Sequence, residues 1–377
     1  MAHIVELTRD ADGRADVKGG RLKVAILGAT GMVGQQLIRV LRAHPWFEVG
    51  AVAASANSAG QTYRDAVSGR WVMDFPIPDG IGELAVLDAQ AVAEIAAQVD
   101  VVFCALSLDK ERVKRLEHEY ARAGVWVTSN NSAYRADPFV PMVIPAVNPH
   151  HLGIVPQQRA ARGYETGAIL VKSNCSIQSY VIALEPLREF GLEQIMVHSE
   201  QALSGAGETF ETWPEMAGNL IPLIDGEEQK SETEPLKIWG TTGGDGIVPA
   251  AGPRIRAKCV RVAVLNGHTA YVTVKFKDTP TPAQILSRWA QHARSQELPS
   301  APRQLIHYRS EPDRPQPLLD VMTEQGMAVT IGQLRVDEAD GPVSFTALAH
   351  NAILGAAGGA VWATEAAISR GLLYRRD

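Results

Sequence analysis

The chain is predicted to fold as an α/β protein in two parts, a doubly wound parallel sheet followed by an antiparallel-rich α+β domain. Three observations carry that prediction. A strand, a glycine turn and a helix run together in LKVAILGATGMVGQQLIRVL; short apolar runs then alternate with helix-like stretches; from Val171 longer alternating strands take over. At 377 residues the chain exceeds the usual size of one core, so two domains with a cleft between them follow.

Taken in order, residues 1–20 read as a polar tail or a short extra strand, and they lack the apolar core of a secretory signal. Val24, Ile26 and Leu27 form a buried parallel strand, and Val33, Leu37, Val40 and Leu41 recur at helical spacing after the turn. Apolar runs in VGAVAAS, VDVVFCALS, GVWVTSN and PMVIPAVN supply further strands, with a helix over 110–124 between two of them. This places a first, doubly wound domain at 21–150 and a second, α+β domain at 151–350, the latter holding the strands of KCVRVAVLNGHTAYVTVKF and the polar segment DGEEQKSETEPLK. The last segment, 351–377, reads as a long helix returning to the first domain. Its apolar part is too short and too Gly-rich to span a bilayer.

Composition narrows the function. A formal net charge of −6 with both signs interspersed provides no basic patch for nucleic acid or an anionic membrane, so a small-molecule partner and a soluble, cytoplasmic protein are expected. Cys104, Cys175 and Cys259 are too few and too scattered for a disulfide framework, and the adjacent His150 and His151 lack the partners of a zinc site, so no metal is expected.

Gly28, Gly31 and Gly34 form G-x-x-G-x-x-G between strand and helix, the Rossmann-type arrangement in which exposed amides at a helix start attract a pyrophosphate. A merely tight turn is the alternative. Gln35 and Gln36 stand where a P-loop needs Lys and Ser or Thr. The second strand ends without the acid that grips a free ribose 2′-hydroxyl, while Ser55 and Ser58 offer donors to a 2′-phosphate, which leans towards NADP; no Arg or Lys lies between Ser55 and Gln61 to strengthen the lean.

Cys175, in VKSNCSIQSYVIALEPL, precedes a helical stripe of Ile177, Val181, Leu184 and Leu187, so it falls near a helix N-terminus, where a thiolate is stabilised. A nucleophile and a small buried thiol are both open at this position, whereas Cys104 reads as the latter. Asn266-Gly267 signals a two-residue hairpin pairing Leu265 with His268, which puts Arg261 and His268 on one face with Cα atoms roughly 13 Å apart. A small substrate fits between their tips.

These residues resemble those of the aspartate-β-semialdehyde dehydrogenase family, in particular its archaeal and fungal-like branch. The likeness runs through GATGMVG, SNNSAYRADPFVPMVIPAVNP, SNCS, QALSGAG, GNLIPLIDGEEQKSETEPLKIWG, CVRVAVLNGH and HNAILGAAGGA, in order and spacing. It implies NADP-dependent reductive dephosphorylation of L-aspartyl-4-phosphate to the semialdehyde through a cysteine thioester, in a homodimer or homotetramer. By the same resemblance Cys175 is the nucleophile, His268 the acid/base and Gln201 an orienting residue. Arg261 holds the substrate α-carboxylate, a task suited to a bidentate planar donor.

The resemblance further implies that Glu227 and Lys230 hold the amino group and the phosphate, with Arg135 a second phosphate contact, although Glu227 and Lys230 also read as an ordinary exposed i,i+3 pair. The Cys175 amide and the Asn174 side chain are the expected oxyanion donors. Gly28, Thr30, Gly31, Met32 and Val33 line the pyrophosphate, Ser55 and Ser58 lie near the adenosine ribose, and Asn351 and Gly355 approach the nicotinamide. The chain departs from the family at Ile177, where Thr or Ser is usual, at Ala263, which replaces proline, and in lacking basic residues near Asn57 and Gln61. The rival readings are a relative reducing another activated acyl group, such as malonyl-CoA or N-acetylglutamyl phosphate, and a catalytically silent dinucleotide-binding protein.

Overall fold

A computed structural model describes residues 2–9, 12–292, 297–337 and 341–376. Six short strands form a wholly parallel sheet: β1 (Leu22–Leu27), β2 (Phe47–Ala54), β3 (Val86–Asp88), β4 (Val101–Cys104), β5 (Trp126–Ser129) and β6 (Ala168–Val171), in the spatial order β3-β2-β1-β4-β5-β6. The order reverses at β1, so the C-terminal ends of β1 and β4 open a crevice at the switch point. Helix α1 (Met32–Leu41) follows β1, and α2 (Lys110–Arg122) follows β4 with Asp109 capping its first turn.

The sheet reaches past the expected limit at 150, because its sixth strand is the AILV run at 168–171. The run PMVIPAVN, expected to be a strand, is not one; it contributes a single bridge, Met142 to Val171. Pro141 and Pro145 lack the N–H groups a ladder needs, and the Asn148 side chain ties the backbone of Met142 and Ile144 into a compact turn instead.

The second sheet is mixed and has seven strands: β7 (Leu192–Gln201), β8 (Leu220–Ile221), β9 (Arg254–Val262), β10 (His268–Phe276), β11 (Ile306–Tyr308), β12 (Val329–Val336) and β13 (Val343–Ala349), ordered β8-β9-β7-β10-β13-β12-β11. Helix α3 (Gln178–Leu184) covers one face, and the polar segment at 227–238 forms α4 (Glu227–Ile238) against β9. The hairpin expected at Asn266-Gly267 is absent as drawn. β9 and β10 do not pair; β7 lies between them, parallel to β9 and antiparallel to β10. Gly267 does take a positive φ of 101°, so the turn is real, but it steps over a strand.

The C-terminal segment is helical over a shorter span than expected. Residues Ile353–Ala357 make one π-helical turn and α5 (Gly358–Ile368) continues it, after which Tyr374–Arg375 pairs with His3–Ile4. This helix packs on α1 and β5, with Thr364 Oγ1 2.7 Å from Thr128 Oγ1 and Glu365 2.7 Å from His44 Nε2. The polar N-terminal segment also forms a small antiparallel ribbon, Leu7–Arg9 with Ala15–Val17.

Candidate active site

The insertion of β7 brings together what the hairpin was expected to join. Gln201 pairs with Arg261 across the parallel ladder, and Glu200 pairs with Thr269 across the antiparallel one, so Arg261, Gln201 and His268 stand in one row on three adjacent strands. Side chains level with one another across a sheet share a face. All three are buried. The chain leaving β6 then delivers Cys175 onto this row, with Sγ 3.3 Å from His268 Nε2.

Ala202, the first residue beyond β7, holds the row together through its backbone. Its N–H donates to His268 Nδ1 at 3.0 Å and its carbonyl accepts from Arg261 Nη1 at 2.6 Å. Because Nδ1 accepts, the proton of the neutral ring belongs on Nε2, facing the sulfur. Gly205 closes the other side; a Cβ there would lie 2.8 Å from His268 Cε1 and 2.9 Å from Arg261 Nη1.

Glu227 is the hub of a second layer. Its carboxylate accepts from Asn174 Nδ2 (2.9 and 3.0 Å), Gln201 Nε2 (3.1 Å) and Lys230 Nζ (2.7 Å). Burial alone would raise its pKa, but Lys230 and these donors hold it below the usual carboxylate value. Glu227 and Lys230 are therefore no ordinary surface pair. Asn174 is committed likewise: its amide donates to Glu227, and its Oδ1 accepts from Ser176 N and Oγ. Asn174 nonetheless lines the cavity beside Cys175, so its amide, anchored by Glu227, borders the site where an oxyanion would form.

Arg135 is a clamp as well as a cavity wall. Nε donates to Lys172 O, Nη2 to Asn130 O and Nη1 to Glu234 (3.0 Å), whose other oxygen accepts the Asn174 N–H at 2.6 Å. The nucleophile loop is thus tied to β5 and to α4 by one buried ion pair. Two of the five guanidinium hydrogens remain for an anion.

The electrostatics correct one expectation. Helix α3 begins at Gln178, three residues past Cys175, and burial, with Glu227 adding to it, pushes the thiol up to about 11. Arg135, Arg261 and Lys172 pull the other way. Burial and then Arg261 push His268 down to about 3. Without a ligand the pair is a thiol beside a neutral imidazole, and its ionisation answers to the surrounding cations rather than to a helix terminus.

Cys175, Gln201, Arg261, Glu227 and Lys230 line one cavity of about 470 Å³, together with Val33, Asn351 and Gly355. The Gly355 position explains its residue type, since a Cβ would sit 2.9 Å from Cys175 Cβ. Asn351 accepts the Gly267 N–H and donates to Ser204 Oγ, which fixes the turn before His268. Gly28, Thr30, Gly31 and Ser55 line a neighbouring cavity of about 290 Å³, and Ser107 forms a wall common to both; Met32 and Ser58 line neither.

The three glycines of the turn divide in role. Gly28 has φ 82° and would meet Ala105 O at 2.5 Å, and Gly34 would overlap the Gly28 carbonyl, so the fold itself demands both. Gly31 would make only an ordinary contact, 3.5 Å from Gly28 O, and it is exposed. Its missing Cβ clears room outside the protein, which fits a pyrophosphate approaching the helix start. Among the described residues no cluster with the make-up of a metal site occurs.

The comparisons agree with this geometry. A family model described as the NAD binding domain of semialdehyde dehydrogenase matches residues 23–154, and one described as the semialdehyde dehydrogenase dimerisation domain matches 184–354. An aspartate-semialdehyde dehydrogenase of Archaeoglobus fulgidus is 40% identical over 94% of this chain and 100% of its own length. The chain belongs to the aspartate-semialdehyde dehydrogenase family. A solved member of that family, the Candida albicans enzyme with NADP, superposes with a TM-score of 0.82 at 32% identity, covering 94% of this chain and 100% of that one. Aspartate semialdehyde dehydrogenase II of Vibrio cholerae, complexed with ASA, does so with a TM-score of 0.71 at 25% identity, covering 93% and 98%. Within the family's fold, the elements missed from sequence are Ala202, Gly205, Glu234, Ser107 and Lys172. The first acts through its backbone, which no residue type advertises.

Proposed function

We propose that the protein is an NADP-dependent aspartate-semialdehyde dehydrogenase, reducing L-aspartyl-4-phosphate to L-aspartate 4-semialdehyde and phosphate in aspartate-family amino-acid biosynthesis. The observation that carries the reading is the contact of Cys175 Sγ with His268 Nε2 at 3.3 Å, on the row that also holds Arg261. Arg261 takes the α-carboxylate and Glu227 the amino group, while Lys230 and the free hydrogens of Arg135 hold the phosphate. So anchored, the acyl carbon is presented to the sulfur.

The ionised sulfur adds to that carbon, the C–O bond to phosphate breaks, and a thioester remains on Cys175. NADPH, when bound, supplies the hydride that reduces this thioester. His268 Nε2–H donates a hydrogen bond to the oxyanion that hydride addition leaves on the substrate oxygen; collapse of that anion breaks the C–S bond, frees the semialdehyde and returns Cys175 as the thiolate, the ring staying neutral. Gly28, Thr30, Gly31 and Ser55 take the cofactor from the first domain, and the Val33, Asn351 and Gly355 wall meets its reactive end.

The large sheet supports a homodimer. Met196 and Tyr271 stand 59% and 44% exposed on one face of β7 and β10, beside His198. Light scattering of the purified chain tests this, and a monomer at micromolar concentration rejects it. Among the described residues no helix is long and apolar enough to cross a membrane. A cytoplasmic location is part of the proposal and rests on the biosynthetic role.

The deciding experiment is semialdehyde oxidation with phosphate, run in parallel with NADP and NAD, for wild type and Cys175→Ser. Phosphate-dependent NADP reduction is expected, and it should vanish in the variant. Full activity of Cys175→Ser, or turnover only with malonyl-CoA in the reductive direction, rejects the reading.

A further inference from the structure

Lys172 is buried, 2% exposed, and its Nζ is without a hydrogen-bond partner. An amine in that state costs free energy unless its charge serves something nearby. Its surroundings are specific. A Cβ at Gly359 would overlap Lys172 Cε and come within 3.0 Å of Nζ, just as a Cβ at Gly355 would press on Cys175. Gly355 and Gly359 lie one helical turn apart, about 6 Å along the axis, so Cys175 and the lysine amine, both on the loop after β6, pack one turn apart against the same helical segment.

Three cations favour an ionised sulfur at Cys175, namely Arg135, Arg261 and Lys172. Arg135 is ion-paired with Glu234 at 3.0 Å. Arg261, on the function proposed above, is neutralised by the substrate carboxylate when the reaction begins. His268 brings no charge, because the Ala202 N–H occupies Nδ1. The groups around Lys172 itself are Arg135 from the loop after β5, Glu234 from α4, and Cys175.

We propose that Lys172 is a positioning residue for the reaction, its buried ammonium being the counter-charge that keeps the Cys175 sulfur ionisable once substrate has engaged Arg261. Burial and Arg135 bring the amine down to about 7, while Cys175 pulls it back up, so lysine gains proton affinity as the sulfur loses its proton. This inference rests on Cys175 as the nucleophile.

Iodoacetamide alkylation of Cys175 in the full chain, read by peptide mass spectrometry, reports sulfur ionisation without substrate or turnover, so its outcome stands apart from that of the activity assay. Between about pH 6 and about pH 9, Lys172→Met is expected to raise the apparent thiol pKa by about one unit, a roughly tenfold slower alkylation near neutrality. In turnover kcat should fall by about the same factor near neutral pH and recover in alkali, with KM within about twofold. Superimposable alkylation profiles overturn the proposal. Should Lys172→Met not fold, wild type still decides: an ammonium titrating near neutrality flattens the plot of log rate against pH there, and a plain unit slope through that range overturns the proposal.

Discussion

Gly205→Ala separates geometry from stability more cleanly than any charged substitution at this site. Gly205 is exposed in a short turn, Leu203–Ala206, and its φ is not positive, so alanine meets no backbone strain there. The added methyl would nevertheless lie 2.8 Å from His268 Cε1, 3.0 Å from His268 Nε2 and 2.9 Å from Arg261 Nη1. Ordinary contact begins near 3.4 Å, so the imidazole and the guanidinium must each retreat by roughly half an ångström. Both bond the backbone of one residue, Ala202, through its N–H and its carbonyl, so their displacement distorts the bonds that set the ring's tautomer and the fork's direction. Displacements approaching 1 Å at a reacting centre cost up to about a hundredfold, so kcat/KM should drop by about ten to a hundredfold. Thermal unfolding should move by no more than about 2 °C, since an exposed Gly-to-Ala change is worth under about 1 kcal/mol. Initial rates of semialdehyde oxidation with phosphate and NADP, set beside a melting curve, measure both. A variant with kcat/KM within about twofold of wild type would show that the contact of Gly205 with this pair is incidental.

His268→Asn should lower kcat by about a hundredfold or more with the fold intact, and circular dichroism plus steady-state rates check it; an unchanged kcat would remove His268 from the chemistry. Arg261→Lys should act mainly on substrate KM, because an ammonium cannot bond both Ala202 O and a carboxylate in a fork, and a loss confined to kcat would contradict that role. Glu117 supplies a pH test away from the reaction: it is fully buried, accepts from Ser129 Oγ and Asn131 Nδ2, and burial raises its pKa from 4.5 to about 7. A raised folded-state pKa favours the protonated form, so its stabilisation is full below about pH 4.5 and is lost as pH rises through about 7. Glu117→Gln should therefore match wild type near pH 4.5 and exceed it by up to about 3 kcal/mol near pH 8 in urea unfolding, and a gap that does not widen with pH would reject the assignment.

What the sequence made legible, and what it hid, divides along a physical line. Periodicity reports which way an apolar side chain faces, so the strand, turn and helix around Gly28 and the strands that carry Arg261 and His268 were all readable. Turn chemistry reports only local backbone. Asn266-Gly267 marked a reversal correctly, yet it had no means of saying that β7, some sixty residues earlier in the chain, would slide between the two arms. That insertion left the functional conclusion standing because, in place of an offset along two paired strands, it set Arg261 and His268 level with one another on either side of β7, with Gln201 between them.

Buried polarity was the blind spot, for a reason that extends beyond this chain. The segment DGEEQKSETEPLK has the composition of a solvated helix, yet Glu227, Glu234 and Lys237 on it are all buried. Lys237 donates to the carbonyls of Arg135, Asp137 and Val140, Glu234 closes the ion pair with Arg135, and Glu227 gathers Asn174, Gln201 and Lys230. Apart from Lys230, which sits three residues from Glu227 on the same helix, the partners that make these groups tolerable in the interior arrive from segments far away in sequence and are invisible to any window that reads one element at a time. The helix that looked like surface is therefore what fixes the nucleophile loop. Its charges face inward because a small, doubly charged substrate needs a site whose own charges are already satisfied and cannot rearrange to meet it.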